Sequence, residues 1–261
     1  MTINDPLNDA TLNGWLLTPA SNLVSFIAEE MKIAALVEQS IMTMVGLPNI
    51  LAAAAHQIPQ DNAKARANMR KLIDHSHVNS GFAEQEQKTD FQRIRSHQAV
   101  AVWAAVETSI EHLLVNLIRR LPDAEALILA HTPNVKLKPD RMRASVQGAK
   151  SAIQRWEPLL PATETMERQV AMLGALQLSV SLAEGNSRTL SEMAGLRDVI
   201  LHNAGIFDER FRERCPWRTE VVGAHVTFDR SSMLRYYEAA HDFALALMRA
   251  VIESPYMRSA G

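Results

Sequence analysis

The sequence predicts an all-α fold, and three observations carry that expectation. Apolar residues recur at spacings of three and four almost throughout, while period-two alternation is nearly absent. Gly and Pro number only 10 and 11 in 261 residues, about 8% against an average usage of roughly 12%, which disfavours a turn-rich β-sandwich. The apolar share of 47% is filled by Ala, Leu and 12 Met, with aromatics at only 5%, and helix interiors tolerate such unbranched side chains best. The length suffices for one large domain or two modest ones with a real core.

Taken in order, the first helix is expected from about Ser21 to Val45, stopped by Gly46 with Pro48 just beyond, and a shorter piece follows to about Gln57. Pro59 and Asp61 predict a break and an N-cap for a helix reaching His75 to His77, with Asn79-Ser80-Gly81 as a turn. Lys88 to Leu121 reads as one long core helix, its stripe running from Phe91 through Trp103, Val106, Ile110 and Leu117. A loop around Pro133 and Asn134 leads to a helix from about Arg141 to Trp156, and another spans about Thr163 to Ala183, ended by Gly185-Asn186. Thr189-Leu190-Ser191-Glu192 has the form of a capping box opening a helix through His202, and Gly205 lies where a left-handed terminal residue belongs. A small β-hairpin is expected near 219–228, around Gly223-Ala224. Asp229, or Ser231 or Ser232, then caps a last helix running through Tyr237 and Phe243 to Val251. We read an N-terminal helical region over 1–80 joined to a helical domain over 82–253.

The formal charge is -2, from 27 Lys and Arg against 29 Asp and Glu, so no global cationic field exists to hold a polyanion and any such site must be local. The cations are lopsided, 20 Arg to 7 Lys, and the planar Arg fork suits phosphate. Cys215 is the only cysteine, which excludes an internal disulfide and a Cys-ligated metal centre and fits a cytoplasmic protein. The residues from Met1 to Pro19 lack the basic start of a secretory signal. Ile33 to Ala55, the most apolar stretch, is interrupted by Glu38, Gln39, Gly46, Pro48 and Asn49, and is expected not to span a membrane. His75 and His77, two apart, point to different faces of a helix, so no metal site and no cofactor are expected. Gly-rich phosphate loops, zinc helices and nucleophile elbows are missing from the sequence.

One segment stands out: Leu196-Arg197-Asp198-Val199-Ile200-Leu201-His202-Asn203-Ala204-Gly205. Five Arg-to-His pairs in the chain have four to six residues between them, among them Arg70 to His75, Arg218 to His225 and Arg235 to His241, so spacing alone does not distinguish this one. Its context does: a polar residue after the Arg, an aliphatic filler, then His-Asn and a Gly. In this it resembles the R-x4-6-H signature of the HEPN superfamily. The continuation Ile206 to Phe211, the final helix with Tyr236-Tyr237-Glu238 and Phe243-Ala244, and the upstream Val102-Trp103-Ala104-Ala105-Val106-Glu107 extend the resemblance over about residues 90–252.

The resemblance implies an all-α HEPN-type bundle acting as a metal-independent endoribonuclease, with a 2′,3′-cyclic phosphate product and a toxin–antitoxin or antiviral defence setting. Metal-free RNA cleavage needs a proton moved from a ribose 2′-OH and charge stabilised on the phosphorane. His202 suits the first task and Arg197 the second, with Asp198 and Asn203 orienting the imidazole or the Arg. Five residues on a helix is about 140° of rotation, so either the helix end turns His202 back or two copies of the motif meet; the resemblance implies a homodimer with a composite cleft. The Tyr that a subgroup of the family carries two residues after the His is Ala204 here, which argues against that mode of antitoxin control and leaves open a different antitoxin or regulatory protein. Lys136, Lys138, Arg141 and Arg143, continued by Lys150 and Arg155, are the RNA-binding candidates, with Trp156 as a stacking platform; Glu107 and Glu111 either face the motif or form a surface pair. Alternatively, the chain is a non-catalytic HEPN-like module binding a protein or nucleotide through its N-terminal helices, or a scaffold without a site, in which Arg197 simply pairs with Glu192 or another core carboxylate and His202 caps its own helix end.

Overall fold

The computed structural model describes residues 14–161 and 164–258. Among these the protein is all-α: α1 (Gly14–Ala55), α2 (Ala63–Lys88), α3 (Gln92–Arg120), α4 (Ala124–His131), α5 (Pro139–Ala144), α6 (Val146–Trp156), α7 (Thr165–Ala175), α8 (Glu184–His202), α9 (Glu209–Arg214), α10 (Arg230–Glu253) and α11 (Pro255–Arg258). Two compact units divide the described residues: one holds 14–28, 99–161, 164–226 and 231–258, and the other holds 29–98 with 227–230.

The larger unit is built on α3 and α10. Val102, Val106, Ile110, Leu113 and Leu117 of α3 are buried at the expected three-and-four spacing, as are Tyr236, Ala240, Phe243 and Leu247 of α10. The first turns of α1 add Trp15, Leu16 and Leu23 to the buried set, and the Arg120 guanidinium lies 4.6 Å from the Trp15 ring centre. In α8 the eight consecutive residues Thr189 to Leu196 are buried, with Val199 a ninth one turn on, so this helix enters the core before its end emerges at His202.

The smaller unit is a helical pair, the rest of α1 with α2. Asn62 caps α2 by accepting a bond from the Ala65 amide at 3.0 Å. Between α2 and α3, Asp90 and Phe91 both take left-handed backbone (φ 51° and 57°). Two consecutive non-glycine residues in that region carry steric cost, opposed here by a 2.5 Å ion pair from the buried Arg95 to Asp90 and by burial of Phe91. Gln92 clamps the Phe228 backbone with two 2.6 Å hydrogen bonds.

Several expected boundaries are corrected. α1 continues through Gly46 and Pro48 to Ala55; Pro48 removes one backbone donor, yet the run Asn49 to Ala55 propagates the helix. α2 runs on through Asn79-Ser80-Gly81, because Ser80 is buried and donates to the Val45 carbonyl at 3.3 Å. The long helix expected from Lys88 starts at Gln92 after the Asp90-Phe91 break; Pro133 and Asn134 lie in a turn as expected, with the unforeseen α4 just before it. Ser145 splits the next helix: its backbone is extended and its hydroxyl accepts from the Gly148 amide, capping α6. Thr163 lies outside the described residues. α7 ends at Ala175, near a left-handed Gln177, and Gly185-Asn186 sit in the first turn of α8 instead of closing a helix. The Thr189–Glu192 capping box is overturned, since both residues are interior to α8: Thr189 donates to the Gly185 carbonyl, and Glu192 receives tertiary partners. No β-hairpin forms among residues 219–228. Instead, residues 223–226 pair with 205–207 through Phe207 N to Ala224 O (2.9 Å), Gly223 N to Phe207 O (2.8 Å) and Val226 N to Gly205 O (2.8 Å), leaving one isolated bridge.

Candidate functional site

The site is formed where α8 ends and α9 begins. Asn203 and Gly205 both donate from their backbone N–H to the Val199 carbonyl at 3.0 Å, and the chain reverses through left-handed Ala204 (φ 50°) and Gly205 (φ 75°). Gly205 thus occupies the backbone region foreseen for it. The Asn203 side-chain amide donates to the Ile206 carbonyl, so it fixes the reversal, and its hydrogen bond among the described residues goes to the backbone and not to the imidazole or Arg197. Asp208 then caps α9 by accepting from the Phe211 amide at 2.8 Å.

The reversal folds α9 back over α8. Gly195 allows the close approach: a Cβ there would lie 3.0 Å from the Phe211 ring and 3.4 Å from the Cys215 sulfur. Burial pushes the Cys215 thiol up to about 12, so it stays protonated and is a poor nucleophile.

This packing delivers Arg214 to Asp198. The Asp198 carboxylate accepts from Arg197 at 2.9 Å through one oxygen and from Arg214 at 2.7 Å through the other. Burial pushes its carboxyl up, but the two guanidinium hydrogen bonds outweigh that and hold it below the ordinary carboxylate value. Arg197 spends one N–H on Asp198; the rest of its donor fork finds no partner among the described residues, and its side chain is one-third exposed. Glu192, which could have claimed Arg197, is buried and taken by Arg218 (2.6 Å), Arg235 (2.9 Å) and the Tyr236 hydroxyl. Glu107 of α3 lies within the field of Arg197 and Asp198; burial raises its carboxyl against the pull of Arg197. Glu111 pairs with Lys150.

A small cavity of about 110 Å³ opens at this corner, lined by Asp198, His202, Asn203, Asp208, Arg210 and Arg214. His202 is exposed at its edge. The structure therefore gathers His202, Asp198 and Asn203 around one recess, with Arg197 attached through Asp198. Arg210 and Arg214 were not singled out from the sequence. Their signal is the spacing of four in Glu209-Arg210-Phe211-Arg212-Glu213-Arg214, which puts both on one helix face.

The predicted RNA-binding cations lie elsewhere in the same unit. Lys138 and Arg141, with Arg155, line a separate cavity of about 370 Å³ between α5 and α6 that shares no residue with the first. No carboxylate pairs with these three among the described residues. Arg143 donates to the Pro122 carbonyl, and Lys136 offers its own carbonyl to Arg155 at 3.4 Å. Trp156 is fully buried, with its indole N–H bonded to Thr132 at 3.0 Å; the stacking role is overturned. His75 and His77 are exposed on α2, and no group of three metal-ligating side chains occurs among the described residues.

Comparison with known protein families, with curated proteins and with solved structures finds no match.

Proposed function

We propose that the chain is a metal-independent endoribonuclease of HEPN type. The observation that carries this reading is the exposed His202 in a recess edged by Arg210 and Arg214, with the free donors of Arg197 one and a half turns back along α8. Arg197, Arg210 and Arg214 stand against Asp198, Asp208 and the nearby Glu107, so it is the guanidinium donors, not an excess of charge, that would meet a phosphodiester.

The chemistry balances without further reagents. An imidazole takes the proton from a ribose 2′-OH, the O2′–P bond forms as the P–O5′ bond breaks, and the departing 5′ oxygen takes a proton from an imidazolium, leaving a 2′,3′-cyclic phosphate. Base and acid are two roles. A homodimer in which two copies of the α8 end meet supplies two His202 rings, and Arg197 and Arg214 stabilise charge on the phosphorane. Lys138 and Arg141, with Lys136 and Arg143 alongside, would hold RNA beyond the scissile bond. A cytoplasmic toxin–antitoxin or defence role, with a regulatory protein as partner, rests on the sequence resemblance. The second reading, a non-catalytic HEPN-like module, is favoured by one contact: Asp198 already occupies part of Arg197 and Arg214.

The test is cleavage of single-stranded RNA by the purified chain in EDTA. We expect a 2′,3′-cyclic phosphate end, and a loss of about 10²–10⁴-fold in His202→Ala, with Arg197→Ala also impaired. Undiminished cleavage in both variants, or none by the parent protein, removes the nuclease reading in favour of the module.

A further inference from the structure

The cavity of about 370 Å³ between α5 and α6 has one wall along the α6 face that runs from Ser145 through Gly148 and Ser151 to Arg155, and another that carries Lys138 and Arg141. The spacing of three and four is that of a single helix face. Three cations line the cavity and no Asp or Glu does; Asp140, the carboxylate of α5, is not among its walls. None of the three has a carboxylate partner among the described residues. Like charges gathered around one concavity repel one another, and an anion seated among them relieves that repulsion. Both walls are fixed by contacts of their own. Gly148 brings the α6 backbone so near the Arg141 carbonyl that a Cβ would not fit. Arg155 donates to the Lys136 carbonyl at 3.4 Å, tying the last turn of α6 to the segment that enters α5. A recess formed in advance loses little ordering entropy when it binds.

Size, charge and lining say what that anion is. The volume lies at the lower end of the roughly 300–1,000 Å³ of small-ligand sites, which is room for about one nucleotide and not for a strand running through. Each internal phosphate of a nucleic acid carries one negative charge, whereas a phosphomonoester carries about −1.5 to −2 at pH 7 and is the better match to three cations. The Ser151 hydroxyl, without a partner among the described residues, adds a neutral donor. Leu137 and the buried Met142 and Ala152 supply an apolar wall for the sugar or base that bears the phosphate.

We propose that this cavity seats the phosphorylated end of an RNA strand, with the terminal phosphomonoester among Lys138, Arg141 and Arg155. The choice of RNA rests on the nuclease reading; the preference for an end does not follow from it. The test is fluorescence anisotropy with two pairs of single-stranded RNAs. One pair differs only in a 5′-phosphate against a 5′-hydroxyl and the other only in a 3′-phosphate against a 3′-hydroxyl, each RNA being labelled at its opposite end. The full chain carries His202→Ala in these measurements, so that the RNA stays intact. One pair should show a preference for the phosphate of about tenfold or more, the weight of a hydrogen bond to a charged group, and the pair that does so identifies the end. Arg141→Ala and Arg155→Ala should each bring that ratio to within about twofold of one, since either removes donors that only the monoester uses in full. Ser151→Leu keeps every cation and fills the cavity, and it should do the same. Lys64→Ala with Arg70→Ala, on α2, should leave the ratio unchanged. Three results would each overturn the proposal: no preference in either pair, a preference that survives Ser151→Leu, or displacement of the phosphorylated RNA by adenosine 5′-monophosphate at equal concentration, which makes a free nucleotide the occupant. A parent chain that cleaves RNA in EDTA yet binds phosphate and hydroxyl ends alike loses the end site and keeps the nuclease reading. One that prefers the phosphorylated end without cleaving does the reverse.

Discussion

Asp198 concentrates the electrostatics of the site in one side chain. Its two oxygens each accept a guanidinium N–H, from the residue beside it and from one 16 positions later, so it ties the end of α8 to α9. Because these bonds lower its folded-state pKa below the ordinary value of 3.8, the stability they add is fully present above 3.8 and is lost as pH falls through the lower folded value. Asp198→Asn keeps the shape and removes the charge. At pH 7 it should lose about 1 kcal/mol, the pair being partly solvated, or a few degrees in Tm for a chain of this size. Urea melts should show the gap between parent and variant closing as the buffer is taken from pH 5 towards pH 2.5. A gap independent of pH would mean that the contacts act by packing alone. The adjacency of Arg197 and Asp198 makes half of this network legible in the sequence, whereas Arg214 reaches it only through the Asn203–Gly205 reversal, which local spacing does not announce.

At the scale of elements, glycine separates positions that need the missing Cβ from those that merely tolerate its absence. A Cβ on Gly148 would sit 1.8 Å from the Arg141 carbonyl oxygen, backbone against backbone, while one on Gly81 in α2 would meet nothing within 4 Å. Gly148→Ala should therefore force α5 off α6 and cost about 1–3 kcal/mol or more, whereas Gly81→Ala should stabilise by roughly 0.5–1 kcal/mol, both read from urea denaturation midpoints. Equal effects of the two would refute the close approach of α5 and α6. The same distinction explains which helix ends could be read in advance. Three-and-four spacing in α3 and α10 reports a buried stripe directly, so those helices were foreseeable. Gly46 and Pro48 resemble a terminus but lie inside α1, and Thr189 and Glu192 resemble a cap, but Thr189 bonds back to the Gly185 carbonyl within α8 and Glu192 is held by Arg218, Arg235 and Tyr236 far along the chain. A side chain with a tertiary role is locally indistinguishable from one with a capping role.

Across the whole molecule, a charge of -2 with a pI near 6.5 provides no long-range attraction for a polyanion, so any RNA affinity must come from local cations that lack counter-charges. Some of the acidic and basic residues cancel in pairs, as Arg95 does with Asp90, Lys150 with Glu111 and Arg188 with Glu184. The cavity between α5 and α6 differs, since Lys138, Arg141 and Arg155 face it without a carboxylate among the described residues. That contrast yields a quantitative expectation. For single-stranded nucleic acid the slope of log K against log salt is about −0.7 per phosphate neutralised, so the double variant Lys138→Ala, Arg141→Ala should flatten the slope by about 1.4 and weaken binding most at low salt. Lys64→Ala with Arg70→Ala on α2 removes the same charge from the other unit and should leave the slope unchanged. Fluorescence anisotropy with a labelled single-stranded RNA between 50 and 200 mM salt distinguishes the two. If both double variants shift the slope equally, RNA is held by diffuse surface charge and the α5–α6 cavity has no special part in binding it.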